Sequence, residues 1–233
     1  MAKAVILLSG GLDSAVMAAY TKLTEGYETH AVCFDYGQRH REEIIAAGHV
    51  AEAIGLDSLR VIRADMSWLD CSLSGAGEVA KDRTLAERSV GLAPDYVPGR
   101  NTVFLSLAAS YAETIGVGWL VVGWTTDDES GFPDCTPKYR TAMNRVLKLG
   151  TASGVQIAQT LAGNSKSALI FRGKGLGLAM ELTWTCYDPQ AGTTKDQHGE
   201  PLFAARHCGV CDACFGRKEA FTESGFPDPT TYA

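Results

Sequence analysis

Short continuous apolar runs alternate along the chain with stretches whose apolar residues recur at helical spacing. Ala4-Val5-Ile6-Leu7-Leu8 is the first run. A segment so uniformly apolar predicts a strand buried on both faces, as in a parallel sheet. Ala15 to Leu23 predicts a helix, with Gly26 as its stop. Glu28 to Phe34 predicts a second strand, Arg41 to Ile54 a helix closed by Gly55, and Leu59 to Ala64 a third strand. Thr102 to Ile115 carries a strong helical pattern (Val103, Leu105, Leu107, Ala108, Tyr111, Ala112). Gly118 to Gly123 predicts a fourth buried strand, Tyr139 to Leu149 a helix, Gln156 to Leu161 a weak strand, and Ser165 to Leu176 a helix capped by Ser165. This alternation predicts a doubly wound, Rossmann-like parallel α/β sheet with right-handed crossovers. Ligands on such sheets bind at the carboxyl ends of the strands, so the turns after the first two strands are expected to face one cleft.

The pattern lapses between residues 66 and 99. Ser72 to Gly77 is flexible in composition, Lys81 to Arg88 is charged, and the stretch closes on Pro94-Asp-Tyr-Val-Pro-Gly-Arg-Asn101. A segment this long and irregular is either a functional lid or a disordered insert.

The strand-end turns carry the candidate chemistry. The first run leads into Ser9-Gly10-Gly11-Leu12-Asp13-Ser14 and then a helix. Two glycines allow a tight turn and close backbone approach, and the helix N-terminus offers free amides and a positive dipole to an anion. No Lys follows the glycines, so this is not the Gly-x-x-x-x-Gly-Lys-Ser/Thr loop. It is similar to the pyrophosphate-binding loop of the ATP pyrophosphatases. Asp35-Tyr36-Gly-Gln38-Arg39-His40 offers an acceptor, donors and a cation, or else a plain helix-entry turn. Pro98-Gly-Arg100-Asn101 is a rigid turn aiming a guanidinium that suits a phosphate or carboxylate, although alone it reads equally as an exposed Arg. Asp127 to Asp134 is an acidic loop, fit for Mg²⁺, for a substrate's amino edge, or simply for solvent. Lys166 opens a helix at its positive end, which a phosphate partner or plain exposure would explain.

Composition narrows the class. The chain has 233 residues, a net charge of -6 and seven cysteines. That size suits one sizeable α/β domain. The charge argues against broad nucleic-acid binding. No run approaches the ~20 apolar residues of a membrane span, and Lys3 followed at once by a strand is no signal peptide. An odd cysteine count in such a chain points to reduced thiols and a cytoplasmic site of action. Cys208-Gly-Val-Cys211-Asp-Ala-Cys214, with Cys186 upstream, offers four sulfurs to one tetrahedral ion. Structural Zn²⁺ prefers four thiolates, an iron–sulfur cluster uses the same ligands, and His198 and His207 are alternatives to a thiol. The four cysteines are the preferred set.

Taken together, Ser9–Ser14, Phe34–His40, Val97–Asn101, Ser130-Gly-Phe-Pro-Asp-Cys135, Ser165-Lys166, Leu182-Thr-Trp-Thr-Cys-Tyr187, Cys208–Cys214 and Gly225-Phe-Pro-Asp-Pro229 resemble the 7-cyano-7-deazaguanine synthase family. The order and spacing of these blocks cover nearly the whole chain. The resemblance implies an adenine-nucleotide α-hydrolase fold, with a nucleotide-binding domain over 1–181 and a zinc-binding segment over 182–233 packed on it. It implies a ligase that turns 7-carboxy-7-deazaguanine and ammonia into the nitrile with ATP and Mg²⁺, through an adenylated carboxylate and an adenylated amide. On this reading Leu8, Ser9, Gly10, Gly11, Leu12, Asp13, Ser14, Ala15, Val16, Met17 and Ala18 bind ATP. Ser9, Asp13, Ser14, Arg39 and Lys166 are catalytic, and Tyr36, Gln38, Arg39, Arg100, Asn101, Asp128 and Asp134 bind substrate. Cys186, Cys208, Cys211 and Cys214 hold one structural Zn²⁺ per chain, and the protein is a homodimer. The chain departs from the family pattern at Thr136 (Arg in the family), at Ala168 (Glu), in the divergent 73–93 segment and in a longer spacer between Cys186 and Cys208. A relative that stops at the amide, or a tRNA-thiolating ATP pyrophosphatase with an iron–sulfur cluster, would share the loop and the cysteines.

Overall fold

The computed structural model describes residues 2–233 apart from 75, 76, 89, 159, 162 and 197. Three residues of the 73–93 segment, two of them in the Ser72–Gly77 stretch, and one of the expected fifth strand therefore lie outside the described residues.

Five strands form an all-parallel sheet: β1 (Lys3–Leu7), β2 (Glu28–Asp35), β3 (Ser58–Arg63), β4 (Trp119–Val121) and β5 (Gln156–Ile157), in the order β3-β2-β1-β4-β5. The order reverses between β1 and β4, which opens a crevice at their carboxyl ends. The apolar run of β1 alternates between two cores. Ala4, Ile6 and Leu8 pack on one face with α1 (Leu12–Ala19) and α2 (Glu42–Ile54). Val5 faces the other side, against Leu105, Ala108 and Ala112, which belong to the long helix after residue 99. Burying Ile6 and Leu8 completely is worth about 1.5–3 kcal/mol each.

Two helices follow in the chain, the short α3 (Leu85–Arg88) inside the irregular 66–99 segment and then the long α4 (Arg100–Thr114). Helices α5 (Pro137–Gly150) and α6 (Lys166–Gly175) complete the winding, α4 and α5 on one face of the sheet and α6 on the other. Thr136, where the family pattern differs, caps α5 by accepting from the Tyr139 amide at 3.2 Å. Ser165 caps α6 through the Ala168 amide at 3.3 Å.

Three local expectations need correction. The first helix begins at Leu12 rather than Ala15, because the Gly11 carbonyl already accepts from the Ala15 amide at 3.0 Å, and it ends in a π turn over Tyr20–Thr24. The fifth strand is two residues long. The C-terminal stretch holds an antiparallel hairpin, β6 (Gln190–Lys195) and β7 (Pro201–Arg206), and a helix, α7 (Asp212–Ser224), none of which its polar, Gly- and Thr-rich pattern announced. Helix α7 buries Ala220 and Phe221 in the same core as α1 and α6. Among the described residues no helix is long and apolar enough to cross a membrane.

Candidate functional site

A cavity of about 650 Å³ occupies the crevice where the strand order reverses. Its floor is the turn after β1. Gly10 has φ +85°, and an added Cβ there would run into the Glu43 carbonyl and come 2.7 Å from the Ala47 nitrogen, so only glycine lets this turn lie on α2. A Cβ on Gly123, just past β4, would come 2.7 Å from the Ser14 nitrogen. The first turn of α1 thus sits directly on the end of β4. Ser9 Oγ accepts from the Gly11 amide at 3.2 Å and lies 3.0 Å from Ser14 Oγ, while Ser14 Oγ is 3.0 Å from the Gly11 carbonyl. Two hydroxyls and the α1 N-terminus line the same patch of cleft.

Asp13 and Lys166 meet across this patch at 3.2 Å, each about 20% exposed. Burial raises the Asp13 carboxyl to about 6, with Lys166 holding it down and Asp128 and Asp127 pushing it up. Asp13 Oδ1 is buried without a hydrogen-bond partner. Burial works against the charge of Lys166, yet Asp13 and Asp128 raise its affinity for the proton overall. Asp127 Oδ2 accepts from the Lys166 amide at 2.8 Å and so fixes the start of α6. Asp128 Oδ2 accepts from the Thr125 amide and hydroxyl, both at 2.9 Å. The result is one protonated amine ringed by three carboxylates beside an anion-binding turn.

The opposite wall is aromatic. Phe34 and Phe104 stack at 4.1 Å with Tyr36 tilted against Phe104 at 5.4 Å, and all three line the cavity. Arg100 lies over the Tyr36 ring at 5.7 Å and donates to its hydroxyl at 3.2 Å. Among the described residues no carboxylate comes within 4.0 Å of Arg100, so its donors face the cleft without an ionic partner. Burial raises the Tyr36 and Tyr187 hydroxyls well above the usual phenol range, which keeps both as neutral donors. Asp95, 9% exposed, also lines this wall.

Not every expected residue reaches the cleft. Leu8, Ser9, Gly11, Leu12, Asp13 and Ser14 line it, but Gly10 does not, and Ala15, Val16, Met17 and Ala18 turn into the core between α1 and the sheet. Arg39 is exposed and points away, donating to the Gly77 carbonyl at 2.7 Å and the Ser72 carbonyl at 3.4 Å. Gln38 is buried and fully engaged, accepting from the Tyr36 amide at 2.7 Å and donating to Phe34 O and Glu43 Oε1. Asp134 is buried behind the wall, where Oδ2 accepts from the Asn101 amide at 3.1 Å and caps α4. Tyr36, Arg100, Asn101 and Asp128 do line the cavity.

Cys186, Cys208, Cys211 and Cys214 bring their sulfurs within 4.8 Å of one another. Backbone amides of Asp188 and Cys208 donate to Cys186 Sγ at 3.3 and 3.2 Å, and those of Val210 and Cys211 to Cys208 Sγ at 3.5 and 3.3 Å. Amides aimed at sulfur favour thiolates, so the set fits a bound metal ion. Neither His198 nor His207 joins the group. The cluster is tied to the cleft through Trp184, whose amide donates to the Gly10 carbonyl at 2.9 Å. It also anchors the 81–95 segment: Lys81 bridges to Cys211 and pairs with Asp188, Arg83 pairs with Asp212, and Arg88 forks onto Glu219 at 2.7 and 2.9 Å. The described part of the irregular segment is therefore a strap over the cleft mouth, held on α7.

Comparison with known proteins adds the lineage. Residues 3–225 match the family model described as "Queuosine biosynthesis protein QueC". The chain belongs to the QueC family. Curated QueC-type relatives named 7-cyano-7-deazaguanine synthase include one from Anaeromyxobacter dehalogenans, 40% identical over 99% of this chain and 96% of its own length. Another, from Nostoc punctiforme, is 41% identical over 99% of this chain and 100% of its own. The solved structure of NMN synthetase from Francisella tularensis is similar at TM-score 0.44 and 17% identity, covering 82% of this chain and 66% of that one. Several cleft residues of this QueC-family chain gave no signal in the sequence. Glu43 and Asp95, and on α7 Gly216, Arg217 and Ala220, are brought in by tertiary packing from positions outside any phosphate- or metal-binding spacing.

Proposed function

We propose that this chain makes 7-cyano-7-deazaguanine from 7-carboxy-7-deazaguanine and ammonia, spending two ATP. The observation that carries the reading is the cleft itself. It pairs a Ser-Gly-Gly turn and a protonated Lys166 on one side with an ion-pair-free guanidinium, Arg100, and an aromatic wall on the other. On this reading the substrate's ring lies against the aromatic wall, with its carboxylate toward Arg100.

A carboxylate oxygen attacks the α-phosphorus, the bond to the bridging oxygen breaks, and pyrophosphate leaves with the negative charge. Ser9, Ser14 and the α1 amides hold that pyrophosphate, and Lys166 offsets the charge that develops on it. Ammonia then adds to the acyl carbon, loses a proton and expels AMP, leaving the amide. The amide oxygen repeats the attack on a second ATP. Loss of AMP and of the nitrogen's remaining protons gives the nitrile. No side-chain nucleophile is needed. Mg²⁺, when bound, shields phosphate charge; Asp13, Asp127 and Asp128 are the carboxylates that would hold it, and the unpartnered Asp13 Oδ1 supports this. Cys186, Cys208, Cys211 and Cys214 would hold a Zn²⁺ whose four thiolates leave no open position, so its part is structural. We take 1–181 as the nucleotide-binding domain and 182–233 as the zinc-binding segment, and the working protein as a cytoplasmic homodimer.

Purified protein with ATP, Mg²⁺, ammonium and 7-carboxy-7-deazaguanine is expected to yield the nitrile and two AMP per turnover by mass spectrometry. Amide as the final product overturns the second adenylation, and no AMP overturns the whole reading.

A further inference from the structure

The expected readers of the deazaguanine ring were Asp128 and Asp134, and neither is free for the task. Asp134 caps α4 behind the wall, and Asp128 stands in the carboxylate ring around Lys166, at the phosphate end of the cleft. The ring has an acceptor side, carrying its lactam oxygen and the 7-carboxylate. It also has a donor side, where the lactam N–H and the 2-amino group point the same way. A carboxylate accepts such a pair of parallel N–H groups bidentately.

Of the carboxylates in the cavity, Asp13, Glu43, Asp212 and Glu219 already have cationic or imidazole partners, Asp127 and Asp128 hold backbone amides, and Glu223 is exposed to solvent at the rim. Asp95 differs. It is 9% exposed, it lines the cavity, and among the described residues no cation lies within ion-pair distance of it. The groups that act on its charge are its own amide, the Arg100 guanidinium beyond ion-pair distance, Asp212 and the Tyr187 hydroxyl, which leaves acceptor capacity on a carboxylate with about four lone-pair sites. Its backbone is fixed from three directions. Ser72 Oγ donates to the Pro94 carbonyl at 3.0 Å, the Ala93 amide to Gly131 O at 3.1 Å, and the Tyr96 amide to Ala93 O at 3.0 Å. Four residues after Asp95 the same turn ends at Gly99, and Arg100 begins α4. One short turn therefore presents a buried anion and then a half-buried cation to one aromatic wall. That polarity matches a ring whose donor edge and carboxylate lie on opposite sides.

We propose that Asp95 is the specificity-determining residue for the guanine-type ring: its carboxylate accepts from the lactam N–H and the 2-amino group of the bound acid, with Tyr187 orienting it. The proposal rests on the reading that the cleft takes 7-carboxy-7-deazaguanine. A buried acceptor built for two donors rejects a ligand lacking one of them, because the acceptor is then left unpaired.

The test compares 7-carboxy-7-deazaguanine with its analogue lacking the 2-amino group, on the wild-type protein and on Asp95→Asn, reading AMP release at saturating ATP and ammonium. The wild type is expected to favour the amino-bearing acid by about 10²-fold in kcat/KM. Asp95→Asn, whose amide keeps one acceptor and turns the other into a donor facing a substrate N–H, is expected to lose about 10²-fold toward that acid, to discriminate between the two by less than about fivefold, and to keep its KM for ATP within about twofold. A wild type that treats the two acids alike overturns the proposal without any variant, as does an Asp95→Asn that retains the full preference. A wild type that releases no AMP with either acid overturns the underlying functional reading as well, which separates the two failures.

Discussion

Asp13 carries an unusual charge. Its folded carboxyl titrates near 6 instead of 3.8, so between those values the folded chain keeps a proton that the unfolded chain has released. Stability therefore falls as pH rises through this window, and the loss is complete above about 6. Two pKa units correspond to about 3 kcal/mol, an upper bound for a side chain one-fifth exposed. Asp13→Asn is expected to melt several degrees higher than wild type at pH 7.5, with the gap closing at pH 4, while AMP formation falls by more than about 10²-fold. A calorimetric scan at both pH values with an AMP assay checks this, and an unchanged melting point at pH 7.5 would contradict the burial argument. The wild type is expected to lose activity as pH falls through about 6, where Asp13 takes up its proton and its ion pair with Lys166 is lost. Lys166→Ala is expected to lower kcat by about 10²-fold with a smaller change in KM for the acid, because the amine acts on charge that develops at the phosphates.

At the scale of elements, the turn after β1 works only because Gly10 lets it lie on α2 and Gly123 lets the first turn of α1 sit on the end of β4. Gly123→Ala is expected to push α1 off the end of β4, costing about 1–3 kcal/mol in stability and raising KM for ATP more than KM for the acid. The strands and helices on both sides of that turn were legible because their patterns are local: an apolar run, a helical repeat, a Ser or Thr cap. What stayed hidden depends on contacts distant in sequence. Arg39 follows a strand end as an active-site cation would, yet the carbonyls of Ser72 and Gly77 draw it outward. Asp134 has the composition of a ligand and the position of a helix cap. The hairpin β6–β7 has too few apolar residues to announce itself, since only one of its faces packs, on the cysteine cluster. Asp95 lies in a segment whose pattern says only that it is irregular, and the ties to α7 and Gly131 that make it a wall cannot be read from composition.

At the scale of the molecule, the cysteine cluster joins pieces that the sheet alone would leave loose: the strap, the hairpin, α7 and, through Trp184, the turn under the cleft. Stripping the metal under reducing conditions, or Cys211→Ala, is expected to lower the melting temperature and also to raise KM for ATP. A loss of stability with unchanged KM would mean that cluster and turn are independent. Sedimentation velocity is expected to give twice the mass of one chain.

The Trp184 contact has an optical consequence. Its indole is 1% exposed, lies 4.1 Å from His207 and donates to the Cys186 carbonyl at 2.9 Å, while its backbone holds Gly10. Of the four tryptophans, Trp68, Trp119 and Trp124 stand elsewhere on the surface or the opposite wall. With those three replaced by Phe, the emission of the remaining one reads two events from one chromophore: filling of the nucleotide cleft on one side and departure of the metal on the other.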